Sequence, residues 1–383
     1  MHSSRILAYV ASVLVLVVAT ALGQRFEDRD LLYVAVPNNT FAGWENNGGA
    51  GVIVFDVRNG HKFVKRISTW DSAKTPPEAI RGIAASVADG LLYITTPTRL
   101  AAIDLLTEKF VWEQTYDGRC CDRLTVAPDG KTLYVPGNGG MHWYAVDAKT
   151  GSLIRIVPSP RSDGAHNTIW SPDGSRVFMS GQQSATISVA DPGTHSVVRT
   201  VGPFSNFVRP FTINGSGTYL FANVNDLLGF EVADLKTGKM IHRVEVSGFG
   251  WRPGQRIPHM VPSHGIGMSP DEKEIWVADG VNVYIHVFDA AVMPPKQTKS
   301  IKTRDVPAWI TFGMDGKFVY PSSGDVIDAA TKQVVGGLQD EHGRRVQSEK
   351  LVEVTFANGK PARTIDPFGV GQVRPGFNRS DRQ

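Results

Sequence analysis

Short alternating strands, each preceded by a polar turn, recur along this chain. The copies are "VADGLLYIT" (87–95, the weakest), "APDGKTLYV" (127–135), "SPDGSRVFM" (171–179), "NGSGTYLFA" (214–222), "SPDEKEIWV" (269–277) and "GMDGKFVYP" (313–321). Each joins a tight-turn sequence to a run with alternating apolar residues, which predicts a turn followed by a short strand. No stretch of useful length has helical periodicity, so the pattern predicts an all-β chain.

A second repeated segment ends a later strand with an aspartate and a turn, as in "AVDAKTG" and "VADLKTG". The aspartates of this series are Asp56, Asp104, Asp147, Asp191, Asp234, Asp289 and Asp328. Most neighbours in the series are about 40–45 residues apart, the period of four-stranded propeller blades. A short side chain at such a turn accepts the turn's own backbone N–H groups, so we interpret these aspartates as structural.

The two ends of the chain fit a closed ring. The segment "DLLYVAVP" (30–37) matches the second strand of a blade, and "LVEVTFANGKPART" (351–364) has the pattern of an innermost strand with its turn. The C-terminal strand would therefore complete the N-terminal blade and remove exposed sheet edges. We predict a single seven-bladed β-propeller of four-stranded antiparallel blades over residues 24–365.

The repeated "SPDG…LYV" and "V.D..TG" segments resemble the bacterial YVTN-type seven-bladed propellers. That family is similar in fold to the lactonase-like and quinoprotein amine dehydrogenase heavy-chain propellers. The resemblance covers essentially the whole chain after its first 23 residues. It implies the fold, and it implies a lactonase-like activity only weakly, because these motifs specify the blade and not the chemistry.

The first 23 residues differ in composition from the rest. Arg5 precedes an apolar run over 6–19, and small residues follow, which is typical of a cleaved export signal; an uncleaved membrane anchor is the alternative. We expect a periplasmic or extracellular protein with no membrane segment in the mature chain. The polar residues 366–383 read as a C-terminal tail. A formal net charge of +3, with no basic block, argues against nucleic-acid binding.

The repeats also supply a coordinate system for finding a site. Counting back eight residues from the glycine of each "SPDG"-type turn, or its equivalent, reaches the residue that enters each innermost strand. The residues at this column position are Gly82, Asp122, His166, Arg209, His264, Ala308 and Leu351. Innermost strands line the central channel, and four ionisable groups there carry a desolvation cost that the fold does not require. We therefore predict that Asp122, His166, Arg209 and His264 form a ligand or catalytic site.

Further candidates surround this column. Irregular loops are expected on the face where the innermost strands begin, and loops on a rigid scaffold commonly carry binding groups. Candidate ligand-binding residues on the rim are Trp44, Trp251, Arg252 and His259; those beside the column are Arg81, Arg123, Asn167 and Trp309.

These residues suit acid–base chemistry on an anionic or carbohydrate-like small molecule. His166 and His264 can exchange protons near neutral pH, and Arg209 can hold a carboxylate or stabilise an oxyanion. The set suits lactone hydrolysis or elimination next to a carboxylate. Alternatively, Asp122, His166 and His264 bind a divalent metal, although Arg209 argues against a cation unless an anionic ligand bridges them.

Two further classes of function remain open at this level. A non-catalytic propeller would use its mouth or outer strands to bind a cell-envelope protein or polymer, and loop tryptophans would suit that role equally well. A quinoprotein dehydrogenase-like subunit follows from the fold resemblance alone.

The only two cysteines, Cys120 and Cys121, directly precede Asp122. In an exported protein they can form a vicinal disulfide, although two unpaired thiols are an equal alternative. A bridge would close almost no loop and so contribute little stability. We expect the pair at the channel mouth, where a bridge would rigidify the chain entering Asp122 or present a sulfur surface to a ligand.

Overall fold

The computed structural model describes residues 28–37, 48–70, 79–118, 120–137, 139–159, 164–255 and 257–365. Within these ranges the chain forms 29 strands in seven antiparallel sheets. The sheets are the blades of a seven-bladed β-propeller, as the sequence predicted. The described helical structure is one 3-10 turn, Pro258–Met260. No helix in this part of the chain has the length and apolar character needed to cross a membrane.

The strands follow each other blade by blade. Blades 1 to 4 contain β1 (Arg29–Pro37), β2 (Ala50–Asp56), β3 (Lys62–Ile67); β4 (Gly82–Ser86), β5 (Leu91–Thr95), β6 (Leu100–Asp104), β7 (Phe110–Gln114); β8 (Thr125–Val126), β9 (Thr132–Pro136), β10 (His142–Asp147), β11 (Leu153–Pro158); β12 (Ala165–Trp170), β13 (Val177–Gly181), β14 (Ile187–Asp191) and β15 (Ser196–Val201). Blades 5 to 7 contain β16 (Val208–Ile213), β17 (Tyr219–Val224), β18 (Gly229–Asp234), β19 (Lys239–Glu245); β20 (Ser263–Met268), β21 (Glu274–Asp279), β22 (Tyr284–Asp289), β23 (Lys296–Lys302); β24 (Ile310–Phe312), β25 (Phe318–Pro321), β26 (Asp325–Asp328) and β27 (Gln333–Gly337). The last two strands, β28 (Leu351–Ala357) and β29 (Lys360–Thr364), join blade 1.

The hydrophobic core lies between the blades. The described residues form seven buried clusters, and each cluster consists mainly of side chains from two adjacent blades, including blades 7 and 1. Large side chains such as Trp143 and Trp276 are fully buried there. Burying one large apolar side chain contributes roughly 1.5–3 kcal/mol, so each blade is stabilised mainly by its two neighbours.

The repeated aspartates have the structural role predicted for them. Asp104 Oδ1 accepts the backbone N–H groups of Leu106 at 2.9 Å and Thr107 at 2.6 Å. The other six aspartates of the series each accept a backbone N–H group from their own turn. These hydrogen bonds close the tight connection between the third and fourth strands of each blade.

The C-terminal strand closes the ring. β28 pairs antiparallel with β1, with Leu31 opposite Val354 and Tyr33 opposite Val352. The predicted closure is therefore confirmed, but the sheet has a fifth strand, β29, on the other edge of β28. Asn358 and Gly359 both have positive φ, which makes them a two-residue hairpin turn and brings the chain back along β28.

The innermost strand of blade 3 is shorter than the repeat predicts, because β8 covers only Thr125–Val126. Asp122 lies before this strand. Its backbone N–H still donates to the carbonyl oxygen of Pro136 at 2.9 Å, so the residue is tied to the end of β9. Asp122 therefore keeps its position in the column.

Removal of residues 351–383 should abolish soluble, cooperatively folded protein, because it strips β28 from β1 and exposes the cores that blade 1 shares with its neighbours. The measurement is soluble yield together with thermal melting. Removal of residues 366–383 alone is the matched control and should leave melting almost unchanged. A 351–383 deletion that melts like the full chain would contradict ring closure.

A buried carboxyl group lies on the closing strand. Glu353 is 4% exposed, and its Oε2 accepts the backbone N–H of Met314 at 3.0 Å. Burial raises the pKa of Glu353 from 4.5 to about 7, in spite of this hydrogen bond. The folded chain therefore retains a proton that the unfolded chain loses, and the free energy of unfolding falls as pH rises from 4.5 to about 7.

Glu353→Gln should remove this pH dependence, because glutamine keeps the carbonyl acceptor and cannot ionise. At about pH 8 we expect the variant to be more stable than the unaltered chain by on the order of 2 kcal/mol. At about pH 4 the two should be nearly equal, since both side chains are then neutral. Denaturant unfolding across this range is the measurement, and parallel curves would contradict the assignment.

Candidate functional site

The column residues lie at the start of the innermost strands, on one face of the propeller. His166 is on β12, Arg209 on β16 and His264 on β20, while Asp122 precedes β8. At Gly82 a Cβ atom would lie 3.0 Å from the Asp122 carbonyl oxygen, so this position needs glycine for blades 2 and 3 to meet. The column therefore corresponds to one equivalent position in the blades, which holds ionisable residues in some blades and a residue required for packing in another.

Asp122 and His166 form a direct pair between blades 3 and 4. His166 Nδ1 lies 2.5 Å from Asp122 Oδ2, and Asp122 Oδ1 accepts the backbone N–H of Arg123 at 2.9 Å. Burial by itself raises the pKa of Asp122, but the attraction of His166 and Arg123 outweighs it and lowers that pKa. An ionised carboxylate only accepts hydrogen bonds, so Nδ1 of His166 carries the hydrogen that lies between the two side chains.

Glu349 is the main site residue that the sequence analysis missed. It lies in the segment before β28, with only 3% of its side chain exposed. Its Oε2 contacts the Arg123 guanidinium and lies 2.6 Å from Lys350 Nζ, while Oε1 lies 2.7 Å from His259 Nε2. One signal existed: Glu349 and Lys350 stand directly before the column residue Leu351, much as Arg81 stands before Gly82.

Two histidines stack beside this carboxylate. The rings of His259 and His264 are 3.9 Å apart at their centroids and nearly parallel, at 9°. His264 Nδ1 lies 3.0 Å from the Ala308 carbonyl oxygen and donates to it, which leaves Nε2 without a proton. Burial, with the positive charge of Arg123 nearby, lowers the pKa of both histidines well below the ordinary value. Both rings are therefore neutral at neutral pH.

Arg123 and Trp309 pack together inside the mouth. The guanidinium carbon of Arg123 lies 3.6 Å from the centroid of the Trp309 ring, a close cation–π contact, and both residues are buried. Burial lowers the pKa of Arg123 to about 10, so it stays protonated at neutral pH. Burial and Arg123 together lower the pKa of Lys350 well below its ordinary value.

We call the following residues the mouth cluster: Asp122, Arg123, His166, His259, His264, Trp309, Glu349 and Lys350.

Arg209, Arg81 and Asn167 flank the mouth cluster. Arg209 Nε donates to Asn225 Oδ1 at 2.5 Å. The positive charge of Arg209 also lowers the pKa of His259, although burial and Arg123 have larger effects on that pKa. Asn167 is 1% exposed, and neither its Nδ2 nor its Oδ1 has a hydrogen-bond partner in the described part of the chain. Arg81 Nε is likewise buried and unpaired among the described residues. Such groups are costly unless a ligand satisfies them.

The rim residues predicted from the loops have different outcomes. His259, predicted on the rim, lies inside the mouth cluster instead, because the 3-10 turn of its loop brings it onto His264. Trp251 packs against the core between blades 5 and 6, and Arg252 is exposed. Trp44 lies outside the described residues, as do the predicted export signal and the polar tail.

Cys120 and Cys121 form a vicinal disulfide, with a cis peptide bond between them. Both are almost fully buried, at 1% and 0% exposure, in the core between blades 2 and 3. The expectation of a sulfur surface facing a ligand is therefore wrong, because apolar packing covers both sulfur atoms. The backbone N–H of Cys121 donates to the Thr96 carbonyl oxygen at 2.7 Å, so the pair fixes the chain entering Asp122.

No family model matches this chain, and no curated protein does. Among solved structures, hydrazine synthase from Kuenenia stuttgartiensis is similar with a TM-score of 0.58 and 15% identity, over 73% of this chain and 87% of that one. Dihydro-heme d1 dehydrogenase NirN in complex with DHE is similar with a TM-score of 0.59 and 16% identity, over 89% of this chain and 74% of that one. At these identities the similarity shows the fold alone, and the resemblance to YVTN-type propellers stays a prediction.

Reduction of the unfolded chain should add the mass of two hydrogens and free two thiols for alkylation, whereas the native unreduced chain should take up no alkyl group. Protein refolded under reducing conditions should melt close to the oxidised form, because a bridge between neighbours removes almost no chain entropy. Intact-mass spectrometry and thermal melting are the measurements. A large fall in melting temperature on reduction would contradict a purely local role.

Proposed function

We propose that the channel mouth binds a small anionic, carbohydrate-like ligand and that His166 acts on this ligand as a general base. The observation that carries the proposal is the 2.5 Å contact between His166 Nδ1 and Asp122 Oδ2. A buried carboxylate on one ring nitrogen orients the imidazole and stabilises the imidazolium that forms when the other nitrogen takes a proton. Such a pair is the usual arrangement of a catalytic base.

The charges of the site favour an anion. Three arginines, Arg81, Arg123 and Arg209, lie in or beside the mouth cluster, which has two carboxylates, Asp122 and Glu349. Arginine matches the planar geometry of a carboxylate, and a guanidinium held away from water binds it more strongly than an exposed one. The ligand's own carboxylate would offset the excess positive charge.

Polar groups beside the charges suit a hydroxylated ligand. The buried amide of Asn167 offers both a donor and an acceptor, which matches a sugar hydroxyl. The indole face of Trp309 is covered by Arg123, so it supports the arginine and does not act as an open stacking platform. Selectivity would therefore come from hydrogen bonds and charge.

Two reactions suit this set. In lactone hydrolysis, His166 Nε2 takes a proton from water, the oxygen attacks the lactone carbonyl, the ring C–O bond breaks, and the leaving oxygen receives the proton. In elimination, Nε2 takes the proton next to the ligand's carboxylate, a double bond forms, the bond to the β-oxygen breaks, and the imidazolium returns the proton to that leaving oxygen. In both, Arg209 stabilises the negative charge that develops on oxygen.

Export of the protein is part of this proposal. The apolar stretch that follows Arg5 supports it. So does the disulfide between Cys120 and Cys121, because disulfides persist mainly outside the reducing cytosol. Edman or mass-spectrometric determination of the N-terminus of the protein from its own host tests this part directly.

The His166→Asn variant should lower turnover of an aldonolactone or an oligouronate about 100- to 10,000-fold, because the base is lost while the fold remains. Arg209→Ala should also lower turnover, by about 100- to 1,000-fold, since it removes the positive charge that stabilises the developing oxyanion. Ring-opening is followed by proton release, and elimination by ultraviolet absorbance of the unsaturated product. Thermal melting of each variant checks the fold.

The surface variant His342→Asn is the matched control and should keep full turnover, since His342 is exposed on the loop before β28. Full turnover in His166→Asn would contradict the role of His166. If the unaltered chain turns over neither substrate and sugar acids do not raise its melting temperature, the non-catalytic binding function would be favoured.

A further inference from the structure

Three potential metal ligands converge in the mouth cluster. His259, His264 and Glu349 each offer one potential ligand atom, and these three atoms lie within 4.8 Å of one another. The three residues come from distant parts of the sequence, namely the loop before β20, β20 itself and the segment before β28. Two imidazole nitrogens and one carboxylate oxygen are the protein ligands of many catalytic zinc sites.

We propose that His259, His264 and Glu349 bind one divalent first-row transition metal ion such as Zn²⁺. Nitrogen and oxygen donors of this kind suit Zn²⁺ and its neighbours, whereas Mg²⁺ and Ca²⁺ prefer oxygen ligands alone. Three protein ligands leave further coordination positions for water or a ligand oxygen. This set shares only His264 with the metal site considered from the sequence.

Neighbouring groups hold two of the three proposed ligands, His264 and Glu349, in a fixed orientation. The Nδ1 atom of His264 donates to the Ala308 carbonyl oxygen, which fixes the tautomer and leaves Nε2 as the donor atom. Glu349 is held at Oε2 by Arg123 and Lys350, which leaves Oε1 on the side of His259. Groups that anchor the far side of a ligand in this way commonly accompany metal sites.

The alternative set of Asp122, His166 and His264 fits less well. Both carboxylate oxygens of Asp122 are engaged, Oδ1 by the Arg123 backbone N–H and Oδ2 by His166. Binding a metal there would break a short buried contact. The Asp122–His166 pair and the metal ligands therefore form two neighbouring units of the same mouth.

Two features limit the affinity of the site. Arg123 places positive charge next to the ion, and a bound anion would offset this repulsion. The stacked rings of His259 and His264 direct their in-plane lone pairs side by side, so the His259 ring has to rotate out of the stack to reach a common ion. His259 lies in a short loop turn, where such a rotation disturbs little regular structure.

Only the catalytic role of the ion, which would be to bind an oxygen of the substrate beside His166, rests on the proposed function. Metal binding itself needs no substrate. Turnover that survives removal of metal by EDTA, together with no metal binding, would overturn the metal site and leave the acid–base function standing. Metal binding together with full turnover in His166→Asn would overturn the acid–base function and leave the metal site standing.

Titration of the EDTA-treated, dialysed full chain with Zn²⁺ should show one ion per chain by calorimetry and native mass spectrometry. Co²⁺ should give visible absorption bands of a nitrogen- and oxygen-ligated site. The variants His259→Asn, His264→Asn and Glu349→Gln should each weaken Zn²⁺ binding more than about 100-fold, beyond the 10- to 100-fold typical of groups that only support a ligand.

The control variants separate this site from its alternatives. His166→Asn and Asp122→Asn should each weaken Zn²⁺ binding less than about tenfold, because they remove none of the proposed ligands, and the surface variant His342→Asn should leave Zn²⁺ binding unchanged. Glu349→Gln leaves Arg123 and Lys350 without their carboxylate, so His259→Asn in the loop provides the test if that variant does not fold. Absence of stoichiometric binding would overturn the proposal, as would losses confined to Asp122→Asn and His166→Asn.

Discussion

The antiparallel pairing of β28 with β1 is the contact on which both the ring and its site depend. It joins the two ends of the described chain and completes the cores that blade 1 shares with blades 2 and 7. It also places Glu349 and Lys350, the residues just before β28, against Arg123 of blade 3. Ring closure and assembly of the mouth cluster therefore depend on the same segment, because β28 pairs with β1 and the residues just before β28 contact Arg123.

The mouth concentrates ionisable groups in a place where burial opposes their charge. Asp122 stays ionised because His166 and Arg123 stabilise it, while His259 and His264 are held neutral by burial and nearby cations. A propeller needs no such groups for closure, since its blades are stabilised by apolar contacts. Buried ionisable groups with shifted pKa values are characteristic of binding and catalytic sites.

Much of the fold could be predicted because its signals are local. Each aspartate turn contains its own hydrogen bonds, and each tight turn is followed by a short apolar strand, so the blade repeat is visible in short segments. The fifth strand of the closing sheet was missed, because the Asn358-Gly359 turn was taken for an ordinary blade turn. Trp251 was predicted on the rim from its loop, and the structure shows in addition that it packs, partly buried, against the core between blades 5 and 6.

The sequence by itself determined the seven blades and the column that brings Asp122, His166, Arg209 and His264 to one face, because a repeating fold assigns the same place to the same position in each repeat. Only the tertiary structure decided which partners these residues meet. Glu349 and His259 come from segments without periodicity, so no local pattern indicates where their side chains point. Their meeting depends on ring closure and loop packing, which are contacts between residues far apart in the chain.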